Sequence, residues 1–220
     1  MESIVCLAAH PDDLAFCMGG TLLLLKDHCR IHVLCATKGE RGLDGQGLDE
    51  TAAIREKEEQ AACDILGAEL TFLGRIDREV FADEPTCRLV AKAVDRIAPS
   101  ALFALWSIDS HPDHAAVSEI ARKAVFLART PPPLVYYEAA IGTQTTQFRP
   151  DVYVDITAVM DRKNELIRCH ACQNPDDALV QWNLAQFRHR GAEAGCEYAE
   201  GFKLTRPIKM TPDALLAHLA

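Results

Sequence analysis

Ile4-Val5-Cys6-Leu7-Ala8-Ala9-His10-Pro11-Asp12-Asp13 decides how the rest of the chain is read. Six consecutive apolar residues followed closely by a proline have the pattern of a strand buried on both faces, as in a parallel sheet. The acidic tetrapeptide 10–13 then stands at the carboxyl end of that strand. Ala101-Leu102-Phe103-Ala104-Leu105-Trp106 is a second run of the same character, and His111-Pro112-Asp113-His114 follows it. Ligands of open α/β sheets bind in the crevice outside the carboxyl ends of the strands, so both tetrapeptides are expected to face one crevice. Zinc accepts nitrogen from His and oxygen from Asp, and a catalytic zinc keeps about three protein ligands and one open position. Two His from different tetrapeptides and one Asp make such a set. A lone His beside an Asp is as readily a helix cap or the partner of a Lys, so the reading rests on the pair.

Outward from these two strands the chain alternates. A Gly19-Gly20-Thr21 turn is expected before a helix over 22–26, and a strand over 31–36 comes next. The loop 37–49, with Gly39, Gly42, Gly45 and Gly47, is expected to be mobile. An amphipathic helix from about 50 to 66 is capped by Gly67. Further elements are a strand at 70–73, a helix at 86–97 stopped by Pro99, the strand 101–106 and a helix at 115–128. Strands at 134–137 and 152–154, a helix from about 157 and another over 179–194 complete the pattern. This alternation predicts one α/β domain over 1–220, with a mostly parallel, Rossmann-like sheet covered by helices on both faces. A dinucleotide is not expected. No G-x-G-x-x-G follows the first strand, and His10 with two carboxylates stands where a pyrophosphate would lie.

Composition narrows the partners. At 220 residues the chain is long enough for one full core, burying roughly 70% of the surface of the unfolded chain. Lys and Arg number 23 against 32 Asp and Glu, a net charge of -9 without a basic block, which disfavours nucleic acid and anionic membranes. Neither a signal peptide nor a spanning helix is legible, so a cytoplasmic protein is expected. The nine Cys lie mostly in apolar runs, as at Cys6, Cys35 and Cys63, where they act as small hydrophobes, and their odd number argues against a complete disulfide framework. Cys169-His170-Ala171-Cys172 is formally a C-x-x-C, but it ends a helical pattern and has no second copy. A redox role there is the weaker reading.

Ala9-His10-Pro11-Asp12-Asp13, Gly19-Gly20-Thr21, Thr37-Lys38-Gly39-Glu40 and His111-Pro112-Asp113-His114 together resemble the zinc-dependent de-N-acetylases of the PIG-L or LmbE-like family. Segments 55–59, 151–156 and 195–202 extend the resemblance nearly end to end. Within the family the layout is similar to bacterial N-acetylglucosaminyl-malate and diacetylchitobiose deacetylases. The resemblance implies His10, Asp13 and His114 as zinc ligands, Asp12 as general base, His111 as a cationic oxyanion stabiliser or proton donor, and Asp113 as the residue that orients His111. The adjacency of Asp12 and Asp13 favours the same division, since both cannot easily bind one ion in good geometry. Iron(II) or another divalent ion suits the same ligands.

The implied activity is removal of acetyl from an N-acetylglucosamine conjugate, with zinc-bound water as nucleophile. The alternative is a non-catalytic relative that binds a sugar conjugate or metal. Many members carry an acidic residue after the Asp pair, where this chain has Leu14 and Ala15, which points to weaker support of the metal site. Arg55, Asp77 and Arg78 match positions near the substrate. For Arg55 an ion pair with Glu58 or Glu59 at helical spacing is the competing reading. Tyr136, Tyr137 and Trp106 are read as core more readily than as a sugar platform, and His28, His32, His189 and His218 as surface or capping residues. A small-molecule N-acetylated amino sugar is the expected partner, and a homo-oligomer the expected assembly.

Overall fold

The structure, a computed structural model, describes residues 1–140 and 144–205. His218 lies outside the described residues. One seven-stranded sheet has the order β3-β2-β1-β4-β5-β7-β6. Its strands are β1 (Glu2–Ala8), β2 (Cys29–Cys35), β3 (Glu69–Phe72), β4 (Ala101–Leu105), β5 (Leu134–Tyr137), β6 (Val152–Asp155) and β7 (Ala199–Leu204). The first five run parallel, and β7 pairs antiparallel with both β5 and β6. The two uninterrupted apolar runs are central neighbours, in register from Ile4 opposite Ala101 to Leu7 opposite Ala104. From β1 the chain winds outward through β2 and β3, then returns to the other side of β1 as β4. That reversal opens the crevice beyond the carboxyl ends of β1 and β4.

The helices are α1 (Asp13–Leu25), α2 (Leu48–Leu66), α3 (Glu84–Ile97), α4 (Pro112–Leu127), α5 (Met160–Cys169) and α6 (Ala178–Ala194). Their contacts divide them into two groups, α3 with α4 and α1 and α2 with α5. Tyr137 is fully buried and its hydroxyl donates to Leu7 O, so it belongs to the core. Cys6, Cys35 and Cys63 are buried as expected, and all nine thiols are free.

Three elements differ from expectation. Gly19-Gly20-Thr21 is no turn: it lies inside α1, just after a kink at Met18 (φ -141, ψ 17). The free N–H groups of Gly20 and Thr21 after that kink are taken by the Glu200 carboxylate, at 2.9 and 2.7 Å. Gly20 is required by close approach, since a Cβ there would lie 2.7 Å from Ile156 Cγ2. Strand β7 was not expected at all. Glu200 and Gly201 interrupt its apolar pattern, yet Ala199 to Phe202 are buried because Lys163 pairs with Glu200 inside the protein. Finally, α4 begins at Pro112, with His111 as its N-cap, so the second tetrapeptide is itself the start of a helix.

Candidate metal centre and active site

Each tetrapeptide is a strand-to-helix junction. His10 to Asp12 link β1 to α1, whose first residue is Asp13, and His111 caps α4, whose first turn holds Asp113 and His114. The crossing of the two junctions brings together side chains more than a hundred positions apart. Asp13 lies between both histidines, with Oδ1 3.2 Å from His114 Nε2 and Oδ2 3.9 Å from His10 Nδ1. The N–H groups of Ala9 and His10 donate to Asp13 Oδ2 at 2.8 and 2.9 Å and fix the carboxylate. The ring of His111 lies 4.5 Å from that of His10 and stacks 4.8 Å from that of His114. Ring nitrogens of all three histidines lie within 4.8 Å of one another.

The outward-facing ring nitrogens of His10 and His114 meet carboxylates. His10 Nε2 is 3.1 Å from Asp113 Oδ2 and 3.3 Å from Asp77 Oδ1, while His114 Nδ1 is 3.4 Å from Asp109 Oδ2. A ligand imidazole held by a carboxylate at its other nitrogen is the usual support of a metal site. The charge balance also fits a cation. Burial alone would lower both imidazoles, but the surrounding carboxylates outweigh it and raise His10 to about 9 and His114 to about 10. Among the described residues two groups have ligand atoms close enough together to hold a metal ion, His10 with His111 and His114, and His10 with Asp77 and Asp113, and Asp13 lies beside the first.

Asp12 is buried and adopts φ 113, ψ -33, a left-handed conformation whose strain for a non-glycine residue is of order 1–3 kcal/mol. Burial raises its carboxyl to about 6, against the opposing pull of Arg55. Arg55 Nη2 donates to Asp12 Oδ2 at 2.7 Å and to Pro11 O at 2.6 Å, and Nη1 donates to Gly39 O at 3.2 Å. The competing reading, a pairing of Arg55 with Glu58 or Glu59, gives way to an inward ion pair with Asp12. Cβ atoms at Gly39 or Gly42 would lie 2.3 Å from Nη1, so these glycines make the room.

Asp113, His111, Asp77 and Arg78 have the following surroundings. Asp113 does not orient His111 through its carboxylate, which contacts His10 and accepts from Arg78 N at 2.7 Å and Val80 N at 3.3 Å. Instead, the Asp113 N–H donates to His111 Nδ1 at 3.2 Å, which leaves the proton of the neutral ring on Nε2. Burial, then His10 and His114, lower the His111 imidazole from its ordinary value. Asp77 lines the cavity, and its carboxylate contacts His10 and accepts from Arg41 N. Arg78 also lines the cavity, and its guanidinium donates to the Arg41 carbonyl.

Sequence reasoning missed Asp109, Gln144 and Glu59. Asp109 accepts from His111 N and Thr145 Oγ1 and faces His114, whose Nδ1 also lies 2.9 Å from the Gln144 amide. Its only signal was a carboxylate two residues before the second tetrapeptide. Glu59 Oε2 accepts from Asp12 N at 3.0 Å. The cavity over these groups measures about 330 Å³, with Phe16, Ala139, Ala140, Leu179 and Trp182 as its apolar wall. Trp106 and Tyr136 line a separate groove. His170 is fully buried, Cys172 Sγ donates to Glu58 at 2.8 Å, and Cys169 and Cys172 are free thiols.

A mostly parallel α/β sheet thus gathers three histidines and several buried carboxylates at its switch point. The chain belongs to the PIG-L family, described as GlcNAc-PI de-N-acetylase, which matches residues 5–125. It is 29% identical to a 4-oxalmesaconate hydratase of Pseudomonas putida, over 94% of this chain and 90% of that one. It is 28% identical to a probable N-acetyl-alpha-D-glucosaminyl L-malate deacetylase 2 of Bacillus anthracis, over 77% and 80%. Among solved structures, N,N'-diacetylchitobiose deacetylase from Pyrococcus horikoshii superposes with a TM-score of 0.84 at 27% identity, over 98% of this chain and 88% of that one.

Proposed function

We propose that this protein is a metal-dependent hydrolase that removes the N-acetyl group from an N-acetylglucosamine-containing small-molecule conjugate. His10, Asp13 and His114 hold the ion, Asp12 is the general base, and His111 donates to the carbonyl oxygen. The observation that carries this reading is that a buried, Arg55-held carboxylate, a histidine N–H and a three-ligand set all line one cavity. When bound, zinc or iron(II) supplies a Lewis acid that polarises an amide carbonyl and acidifies water. Arg55 occupies Oδ2 of Asp12, so the other carboxylate oxygen takes the proton from water. With Nδ1 of His111 accepting from the Asp113 N–H, Nε2–H is the donor to the oxygen that gains charge. The cavity of about 330 Å³ is at the small end of ligand sites, of about 300–1,000 Å³, and suits one sugar residue. Arg78, whose guanidinium donates to a backbone carbonyl, would face an acidic substituent beyond the ring.

A second reading is favoured by the 29% identity to a hydratase whose substrate is, by name, a carboxylate. Asp12 and Arg78 would serve that chemistry too, as a base for water and a carboxylate anchor. One experiment separates the readings. Acetate release is measured for zinc-loaded protein against N-acetylglucosamine, diacetylchitobiose and malyl, inositol and peptide conjugates, beside loss of ultraviolet absorbance by unsaturated tricarboxylates. Acetate release from one conjugate, reduced about a hundredfold or more in Asp12→Asn, supports the deacetylase. Hydration without acetate release replaces it with the hydratase. Metal binding without either reaction favours the non-catalytic alternative.

Cytoplasmic location and homo-oligomeric assembly belong to the same proposal. Nine free thiols suit a reducing compartment, and light scattering after size exclusion tests the assembly. Among the described residues no helix is long and apolar enough to cross a membrane.

A further inference from the structure

We propose that Glu59 is a positioning residue for Asp12, forming with Arg55 a two-residue clamp that fixes the Pro11–Asp12 peptide plane. The inference rests on the reading of Asp12 as the base. Both atoms the clamp grips belong to one peptide unit: Arg55 donates to its carbonyl, Pro11 O, at 2.6 Å, and Glu59 accepts from its N–H, Asp12 N, at 3.0 Å. Holding both ends of a peptide plane fixes rotation about the adjoining N–Cα bond, and that rotation is the φ of 113 that aims Asp12. The tetrapeptide does not supply this restraint itself, since Asp12 makes no side-chain cap to α1. Positions 55 and 59 are one helical turn apart, so a single face of α2 presents both groups.

Glu59 has no evident structural reason to be polar. It is 3% exposed, and its other neighbours are Cys63 Sγ at 4.0 Å and His170 Nε2 at 3.7 Å, the latter without a hydrogen bond. A helix packed on a core gains more from an apolar side chain there.

The test compares Glu59→Leu with Glu59→Gln, whose side-chain carbonyl can still accept the Asp12 N–H. In zinc-loaded protein, Glu59→Leu is expected to lower kcat for acetate release about tenfold or more, with KM and zinc affinity within about threefold of wild type, and Glu59→Gln to restore most of kcat. In the ¹⁵N–¹H spectrum, the Asp12 amide is expected to move upfield and exchange faster in Glu59→Leu and to stay in place in Glu59→Gln. Wild-type kcat in Glu59→Leu, or equal losses in both variants, overturns the proposal. Should wild-type protein release no acetate, the deacetylase reading fails by itself, and an Asp12 amide unmoved in Glu59→Leu then overturns the clamp separately.

Discussion

Arg55 shows how much of this site depends on residues with no chemistry of their own. Its guanidinium is buried against Asp12, Pro11 and Gly39, in space that a Cβ at position 39 or 42 would take. Gly42→Ala is therefore expected to push the guanidinium off Asp12 and lower kcat about tenfold or more, on the scale of small misplacements in active sites. Gly47→Ala, with nothing within 4 Å, is the matched control and should keep wild-type rates. Equal kinetics for the two variants would detach the glycine loop from the base. At this scale the sequence was legible where neighbours in the chain are also neighbours in the site, as in His10-Asp12-Asp13 and His111-His114. It was silent where the partner comes from elsewhere. Asp109 reads as an ordinary loop acid until His114 is placed beside it, and Glu59 reads as one more charge on an amphipathic helix.

The same contrast governs the elements. Strands β1, β4 and β5 are uninterrupted apolar runs that any parallel sheet would bury, and they were legible. Strand β7 and the kink in α1 share a cause that lies between distant segments. Glu200 of β7 caps the second half of α1 through Gly20 and Thr21, and Lys163 of α5 makes that carboxylate tolerable in the core, with Phe16 O as its second acceptor at 3.0 Å. Burial lowers the Lys163 ammonium from its ordinary value, against the pull of Glu200, and the ring of Phe187 lies 3.9 Å from Nζ. Removing one partner of such a pair leaves an uncompensated buried charge. Lys163→Met is thus expected to destabilise the fold by about 3–5 kcal/mol, and the double variant with Glu200→Gln by clearly less. Urea denaturation checks both, and a double variant no more stable than the single would show that the charge pair is not what holds the kink.

Across the whole molecule, the acidic site meets the apolar core at Glu59 and His170, whose side chains lie 3.7 Å apart and titrate in opposite senses. Burial raises Glu59 to about 8, so it is protonated in the folded state at pH values where the unfolded chain, near 4.5, is not. Its contribution to stability is complete below about pH 4.5 and is lost as pH rises through 8. Burial, with Arg55 adding to it, lowers His170 to about 3, against an ordinary value near 6.5. That contribution is complete above about pH 6.5 and is lost as pH falls toward 3. Between about pH 4.5 and 6.5 the two slopes oppose each other, each up to about 1.4 kcal/mol per pH unit. Their cancellation leaves an acidic protein less sensitive to pH than either residue alone would make it. In metal-free protein, His170→Gln should therefore gain stability relative to wild type as pH falls from 6.5 to 4.5. Glu59→Gln should lose it over the same interval. Denaturant midpoints at pH 4.5, 5.5 and 6.5 decide the matter, and parallel curves for the two variants would mean that neither side chain changes its proton count on folding.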